Sequence, residues 1–167
     1  MAIGCNASSN YVGRNVVLEV VESCGDTAPD TLTYLPIGSV NQKDINVGTT
    51  TTDITSDDTT GAQATLVSFL TFTASVSGFA TQSDGVAANQ ALLKKYLVDE
   101  VVAGRQPTVF VRAIFPDVTY YAFCNLTSNS NSASSSEATG YTFEFSLTAT
   151  PVGSGIDALY CVDTPVA

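Results

Sequence analysis

The sequence predicts a mainly β protein, a β-sandwich or barrel with one flanking α-helix, on three observations. Stretches of alternating or β-branched residues recur, one segment alone has a helical apolar period, and charged residues are scarce. Charged residues make up 13% of the 167 residues against 44% hydrophobic ones, about half the usual charged share. Small polar residues must therefore cover most of the surface, which suits β proteins and proteins covered by copies of themselves. We expect a single domain over residues 1–167.

The first half of the chain contains two segments that favour strands. Residues 15–23 (NVVLEVVES) are rich in β-branched side chains and predict the first strand. A turn sequence at residues 25–30 follows, and residues 31–41 return to an extended pattern. Pro36 has no N–H to donate to a ladder, so the second strand is predicted to be an edge strand or to bulge there.

Residues 64–79 predict a third, alternating strand. Most of its large apolar residues share one parity, which Phe69 breaks. The residues of that parity are Leu66, Phe72, Ala74 and Val76. Residues 108–115 and 119–128 predict two more strands, joined by a tight turn at Pro116 and Asp117.

The last clear strand is predicted over residues 140–151. Its apolar residues point one way and its small polar residues point the other way, so it should be half-buried. Its polar side consists chiefly of Thr142, Glu144, Ser146 and Thr148. The low-complexity stretch NSNSASSSEAT before it predicts a surface loop.

One α-helix is predicted over residues 84–103. Ser83 is a good N-cap, and Gly104 with Pro107 beyond it ends the helix. An apolar stripe follows the helix, while Val98 and Val102 fall well off that stripe. Apolar residues on a second side predict that the helix is covered from more than one direction. The stripe consists of Val86, Leu93, Leu97 and Val101, widened by Leu92 and Tyr96.

Three polar segments lie outside these elements. Residues 1–15 are predicted to form an N-terminal arm, and residues 151–167 a C-terminal arm with an apolar cluster after a Gly/Ser hinge. Residues 47–61 (VGTTTTDITSDDTTG) contain eleven Thr, Ser or Asp residues. Loops this long in compact domains are usually functional or disordered. Because Thr tolerates extended pairing, we expect a β-compatible loop without partners in its own subunit, anchored by Ile54.

The sequence contains no catalytic signature. The absence of His excludes catalytic triads and most transition-metal sites. The cysteines lack metal-site spacing and are predicted to be free thiols in a reducing compartment. They are Cys5, Cys24, Cys124 and Cys161. We expect no enzyme activity, no cofactor and no metal ion.

Two chemical alternatives remain open at this stage. Asp53, Asp57 and Asp58 could form a calcium loop, although their spacing is not that of an EF-hand and no Glu closes the loop. Paired carboxylates for glycoside hydrolysis remain open as well, because several glutamates lie on predicted strands. These glutamates are Glu19, Glu22 and Glu144.

The charge balance bears on possible partners. The net charge is −10, and the six basic residues are scattered, so tight binding of nucleic acid is not expected. Residues 1–10 lack the basic and apolar regions of a secretory signal, and no apolar run reaches the length of a membrane span. We therefore expect synthesis and assembly in the cytosol, without membrane insertion.

The order of these features resembles the tail tube proteins of long-tailed bacteriophages, in particular the lambda-type non-contractile group with its Hcp-like fold. A glycine-containing strand end at residues 37–40 leads into a long loop with Asp53-Ile54-Thr55. An alternating strand that ends at Gly78 follows, and then the helix. The resemblance covers residues 30–150.

The resemblance implies an architecture and a set of contacts. Subunits of that family form hexameric rings whose strands merge into one barrel around a channel, and the rings stack into a tube that delivers DNA. The implied partners are other copies, the tape-measure protein, and the tail terminator and tip proteins. An acidic channel would let DNA slide without sticking.

Particular residues follow from that resemblance. Both arms and residues 47–61, which as a hairpin reach about 23 Å, would contact the next ring. The implied inter-subunit residues are Val47, Thr51, Asp53, Ile54, Thr55, Asp57, Asp58, Leu159 and Tyr160. The implied channel-lining residues are Thr142, Glu144, Ser146 and Thr148.

Three other functions fit parts of the sequence. An Hcp-like secretion tube subunit would share the fold and the ring symmetry. A ligand- or carbohydrate-binding β-sandwich would need aromatic residues on a solvent face, yet Trp is absent and the aromatic residues mostly lie at inward parity. A globular β domain with a solvated polar loop is the simplest alternative.

Overall fold

A computed structural model describes residues 13–54, 65–80 and 86–164. These residues form eight β-strands and one α-helix. The elements are β1 (Val17–Glu22), β2 (Leu35–Pro36), β3 (Val40–Asp53), β4 (Thr65–Phe79), α1 (Val86–Val102), β5 (Thr108–Ile114), β6 (Val118–Ser132), β7 (Gly140–Leu147) and β8 (Leu159–Asp163). The prediction of a mainly β protein with one helix is confirmed.

The strands form one antiparallel sheet in the order β2-β1-β5-β6-β7-β4-β3, with β8 on β6. The long strand β6 belongs to two parts of this sheet. Its residues 118–125 pair with β5 and β8, whereas residues 124–132 pair with β7. Both parts contribute side chains to one core. The sheet therefore folds over at β6 into two layers. We call β2, β1, β5, β8 and the first half of β6 the back layer, and the second half of β6, β7, β4 and β3 the front layer.

The main core lies between the two layers. Alternation in the front layer buries Phe72, Val76 and Phe143, and the back layer contributes Leu18 and Val111. Each such side chain stabilises the fold by about 1.5–3 kcal/mol relative to exposure. A smaller aromatic cluster on the far side of the back layer consists of Tyr34, Phe110 and Phe123.

The helix α1 is held at the end of the front layer where β3 begins and β4 ends. The side-chain amide of Gln90 donates to the backbone oxygens of Gly38 at 3.0 Å and Phe79 at 3.4 Å. Leu93 enters the core between the layers. After Val102 the chain turns through Gly104 at φ 72°, a left-handed conformation that ends helices and favours glycine. No helix in the described part of the chain is long and apolar enough to cross a membrane.

The helix stripe was predicted only in part. Leu93 is buried and Tyr96 and Leu97 pack against the core, as predicted. Leu92 and Val101 are exposed. The side of the helix that packs on the core is centred on Leu93, and these two residues lie at the margins of that side.

Among the strands, the predicted edge position of Pro36 is confirmed, since within the described residues β2 pairs only with β1, at the end of the sheet. The expectation that residues 47–61 lack partners in their own subunit is wrong for residues 47–53. They form the second half of β3 and pair with β4. Threonine favours strands, and the apolar residues of β4 provide cross-strand partners. Thr55, Asp57 and Asp58 lie outside the described residues.

The C-terminal segment also differs from the predicted arm. Residues 159–163 form β8, which pairs with β6 of the same chain. The ring of Tyr160 stacks on Tyr121 with centroids 5.0 Å apart, and Leu159 packs against the core. Two residues of the apolar cluster therefore pack within their own subunit. The predicted N-terminal arm lies outside the described residues except for a short 3-10 turn, Gly13–Asn15.

Candidate self-assembly surfaces

The paired strands β3 and β4 extend well beyond the rest of the front layer. The pairing of β4 with β7 stops at Thr73 and Ser146, while β3 and β4 continue together to Asp53 and Thr65. We call residues 47–53 and 65–72 the ribbon. Its strands are about 23 Å long at the usual rise per residue. Because an isolated two-stranded ribbon is marginally stable in water, this one is suited to packing against a further surface.

The ribbon exposes apolar side chains on both faces. Val47, Val67 and Leu70 share the face that continues the core, because a register shift after Thr50 returns Val67 to that side. All three are exposed. The opposite face carries Leu66 and Phe69, and Phe69 is 71% exposed. Phe69 points away from the core because its parity is opposite to that of Phe72. Leu66 shares the parity of Phe72 in the sequence, yet it lies on the opposite face because the register shift comes between them.

The front layer has two strand edges that remain unpaired within the described residues. β3 pairs with β4 on one side only. In β6 the pairing with β5 ends at Asn125, so residues 127–132 pair with β7 alone. Long unpaired edges are templates for pairing with another chain.

The directions of these edges are compatible with each other. Each neighbouring pair in the front layer is antiparallel, so β3 runs opposite to β6. A copy rotated about an axis roughly along the strands keeps those directions. The β3 edge of one copy would therefore meet residues 127–132 of the next copy in an antiparallel arrangement.

The middle of the outer face of the front layer is polar, between the exposed Phe79 at one end and Leu66 and Phe69 of the ribbon at the other. One hydrogen-bonded row places Asp44 beside Ser75, Glu144 and Ser128. In β7, Thr142, Glu144 and Ser146 alternate with buried aromatic residues, as predicted. Asp44 and Glu144 lie two strands apart, about 10 Å. Thr148 lies beyond the end of β7 and its N–H donates to the backbone oxygen of Phe123 at 2.9 Å.

The solvent side of α1 carries a further apolar surface. Leu92, Lys95, Val98 and Val102 lie on one side of the helix by their spacing and all are exposed, Val102 by 82%. We call these four residues the helix face. Val98 and Val102 form the second apolar side, and nothing in the described part of the chain packs on it, so the predicted cover from a second direction stays a prediction.

The candidate catalytic carboxylates do not converge. Glu19 forms an ion pair with Arg112, with a 2.8 Å hydrogen bond from Nε, and the guanidinium lies over Tyr34 at 4.3 Å. Burial and then the nearby Glu100 carboxylate raise the pKa of Glu22. Glu144 projects from the outer face of the front layer. Among the described residues no group of His, Cys, Asp or Glu is arranged to hold a metal ion.

The described cysteines are free thiols of two kinds. Cys24 and Cys161 are exposed, whereas Cys124 is buried in the core. Burial strongly raises the pKa of the Cys124 thiol, so the thiolate that reacts with oxidants is suppressed there. Cys5 lies outside the described residues.

Two parts of these surfaces were missed by the sequence reasoning. The end of β6 falls in the predicted loop, because residues 129–132 are Ser and Asn, which do not favour strands. These residues form a strand through pairing with β7, and the local sequence does not indicate that pairing. Asp44 was missed as well. The alternation of Gln42, Asp44 and Asn46 with Lys43 and Ile45 would have placed it on a polar strand face.

Comparison with solved structures gives the fold an independent basis. A chain of the virion of the native gene transfer agent particle is 15% identical with a TM-score of 0.64, covering 93% of this chain and 100% of that one. A chain of the tail of the empty gene transfer agent particle, refined with C6 symmetry, has 15% identity, a TM-score of 0.66 and the same coverage. The SPP1 tail tube chain has 10% identity and a TM-score of 0.56, covering 83% of this chain and 76% of that one.

The same fold extends to a chain of the anti-feeding prophage baseplate, with 8% identity and a TM-score of 0.57 over 93% of this chain and 97% of that one. No family model matches the chain, and no curated protein matches it either. At these identities the likeness establishes the fold. The chain has the tail-tube fold that its sequence features resemble.

Proposed function

We propose that this chain is a structural virion protein that polymerises as stacked hexameric rings into a phage tail tube, the channel for DNA delivery. The observation that carries the proposal is the pair of unpaired, antiparallel-compatible edges on the front layer. Joining β3 of each copy to residues 127–132 of the next would continue the layer around a closed ring. Closure removes the exposed edges that otherwise invite uncontrolled aggregation.

Six copies per ring are supported by analogy with the gene transfer agent tail, which was refined with C6 symmetry. The two faces of the front layer suit such a barrel. Its core side is covered by the back layer of the same chain, and its polar outer side would line the channel. That side presents Asp44, Ser75, Thr142, Glu144 and Ser146.

The chemistry of this face suits passage of DNA. Asp44 and Glu144 place two carboxylates per subunit on it, and the net charge of the chain is −10. Such a wall repels phosphates and offers no basic cluster to hold them. The proposed location is the virion tail after assembly in the host cytoplasm. The tape-measure protein and the tail terminator and tip proteins are the proposed further partners.

Electron microscopy tests this proposal. Purified protein should form rings or tubes of uniform diameter in negative stain as concentration increases. A matched pair of variants tests the edges: Asn131→Pro should block ring closure, since the N–H of Asn131 lies on the side of β6 away from β7 and proline removes that donor from the edge. Ser134→Pro, in the neighbouring exposed loop, should leave assembly intact. A strictly monomeric wild-type protein at every concentration and salt would refute the proposal.

A further inference from the structure

Polar side chains face the core at both edges of the front layer that lack a partner strand among the described residues. On β3, Lys43 pairs with Val76 of β4, and on β6, Asn129 pairs with Phe143 of β7. Val76 and Phe143 pair with each other and are fully buried. Because directly opposite residues share one face of a sheet, these four residues form a row on the core side, with a lysine at one edge and an asparagine at the other.

Lys43 is a half-buried cation at the β3 end of this row. Its ammonium donates to the backbone oxygen of Val16, just before β1, and neither of the two ion pairs of the described residues includes it. An ammonium carries three donors, so Lys43 can serve further acceptors without leaving Val16. A charge that points inward from an edge strand restricts the partners that the edge accepts.

The β6 edge presents acceptors on the same side. Asn131 lies two residues beyond Asn129, pairs with the buried Tyr141 and therefore also faces the core side. The amide nitrogen of Asn131 donates to the side-chain oxygen of Asn129 at 3.4 Å. Because each amide oxygen has two lone pairs, this pair of asparagines can also accept hydrogen bonds from an ammonium group.

The backbone of the row is in the correct phase for pairing between copies. The N–H of Asn129 lies on the side of β6 away from β7, like that of Asn131. Hydrogen-bonded and other pairs alternate across an antiparallel row, so the N–H of Lys43 also points away from its own sheet. If the row continues into the next copy, Lys43 and Asn129 become a hydrogen-bonded pair with Cα atoms about 5.5 Å apart. A stagger of two residues would place Asn131 there instead.

The same residues disfavour a competing contact, in which the β3 edges of two copies pair about a two-fold axis. That arrangement places core-side residues opposite core-side residues. Two Lys43 ammonium groups would then lie near each other on one face, and two Asp44 carboxylates on the other. Like charges at such positions are destabilising. Residues 127–132 consist only of Thr, Ser and Asn, so the β6 edge meets β3 without this repulsion.

We propose that Lys43 selects the partner of the β3 edge, because its ammonium donates to the side-chain oxygens of Asn129 and Asn131 of the next copy. This inference rests on the proposed function and names the residues that give ring closure its specificity. Hydrogen bonds to a charged group favour the pairing of β3 with β6. Repulsion between two Lys43 side chains excludes the pairing of β3 with β3.

A carboxylate placed opposite Lys43 gives the first test. Asn129→Asp should lower the protein concentration at which rings form by at least about threefold, since an ion pair replaces a hydrogen bond to a neutral amide. Ser130→Asp is the matched control. It adds the same charge on the outer face, beside the row of Asp44 and Glu144, and should increase that concentration. Sedimentation velocity and negative-stain microscopy over a concentration series measure both.

Removal of the lysine charge tests the coupling. Lys43→Met keeps the aliphatic stem, so circular dichroism should be unchanged, while rings should need at least about threefold more protein. The gain from Asn129→Asp should disappear in this background, and with Lys43 present it should shrink as salt increases. Equal effects of Asn129→Asp and Ser130→Asp at low and high salt would overturn the inference, even if Lys43→Met fails to fold.

Chemical cross-linking supplies a second readout. In rings of the Asn129→Asp variant, a carbodiimide should join the Lys43 amine to the carboxylate introduced at position 129. Within one copy the two positions lie three strand spacings apart, about 14 Å, so this link must connect two copies. Rings of that variant without the link would overturn the inference. Wild-type protein without rings or tubes would overturn the proposed function itself.

Discussion

The body of the sandwich and the ribbon are built from the same two strands, yet they differ in what covers them. Within the body, Ala74 and Val76 of β4 are buried. A few residues earlier, Leu66, Phe69 and Leu70 have the same apolar character and are exposed among the residues that the structure describes. The difference indicates that the body specifies the fold of one copy, while the ribbon carries apolar surface that a second copy would bury.

The sharpest contrast is expected between two phenylalanines. Phe143→Ala in the body should lower the free energy of unfolding by about 3–5 kcal/mol, since it leaves a cavity in the core. Phe69→Ala in the ribbon should change stability by less than about 0.5 kcal/mol and yet impair tube formation. Urea unfolding of both variants and electron microscopy of Phe69→Ala measure this. Equal losses of stability would show that the ribbon is part of the folded body.

A pair of glycines gives the next largest effect. A Cβ on Gly78 in the body would lie 2.2 Å from the backbone oxygen of Ser39, whereas a Cβ on Gly48 in the ribbon would meet only the Thr71 hydroxyl at 3.1 Å. Gly78→Ala should therefore cost about 1–3 kcal/mol. Gly48→Ala should stay within about 1 kcal/mol of wild type. Thermal unfolding distinguishes them, and a neutral Gly78→Ala would contradict the close packing at that end of β4.

The smallest effect concerns Glu22, at the end of β1. Its pKa is raised above the ordinary 4.5 by burial and by Glu100, so ionisation costs stability as pH increases through and above that value. Glu22→Gln should stabilise the protein at pH 7 by less than about 1 kcal/mol, because solvent screens the site. At pH 4 and below the two proteins should unfold alike. A destabilised variant at pH 7 would reverse the assigned direction.

The sequence predicted those elements whose signal is local. The alternation in residues 140–147 and the helix that ends before Gly104 each depend on neighbours along the chain, and each was confirmed. The pairing of residues 47–53 was missed because threonine is common both in strands and in polar loops. Pairing with β4 makes this segment a strand. The docking of Leu159 and Tyr160 was missed because it depends on a distant aromatic residue, Tyr121.

The surfaces between copies were still harder to predict. An unpaired strand edge is defined by the absence of a neighbouring strand. Residues 127–132 form such an edge because the pairing of β6 with β5 ends at Asn125, and the local sequence does not indicate where that pairing ends. The helix face was indicated by Val98 and Val102, because apolar residues on a second side of one helix leave a detectable pattern.

Reconstruction of self-assembled tubes by cryo-electron microscopy is the most direct test of the central claim. We expect six copies per ring, with β3 of each copy paired antiparallel to residues 127–132 of its neighbour and Glu144 facing the channel. Rings joined through the back layer, with both front-layer edges unpaired, would contradict the account.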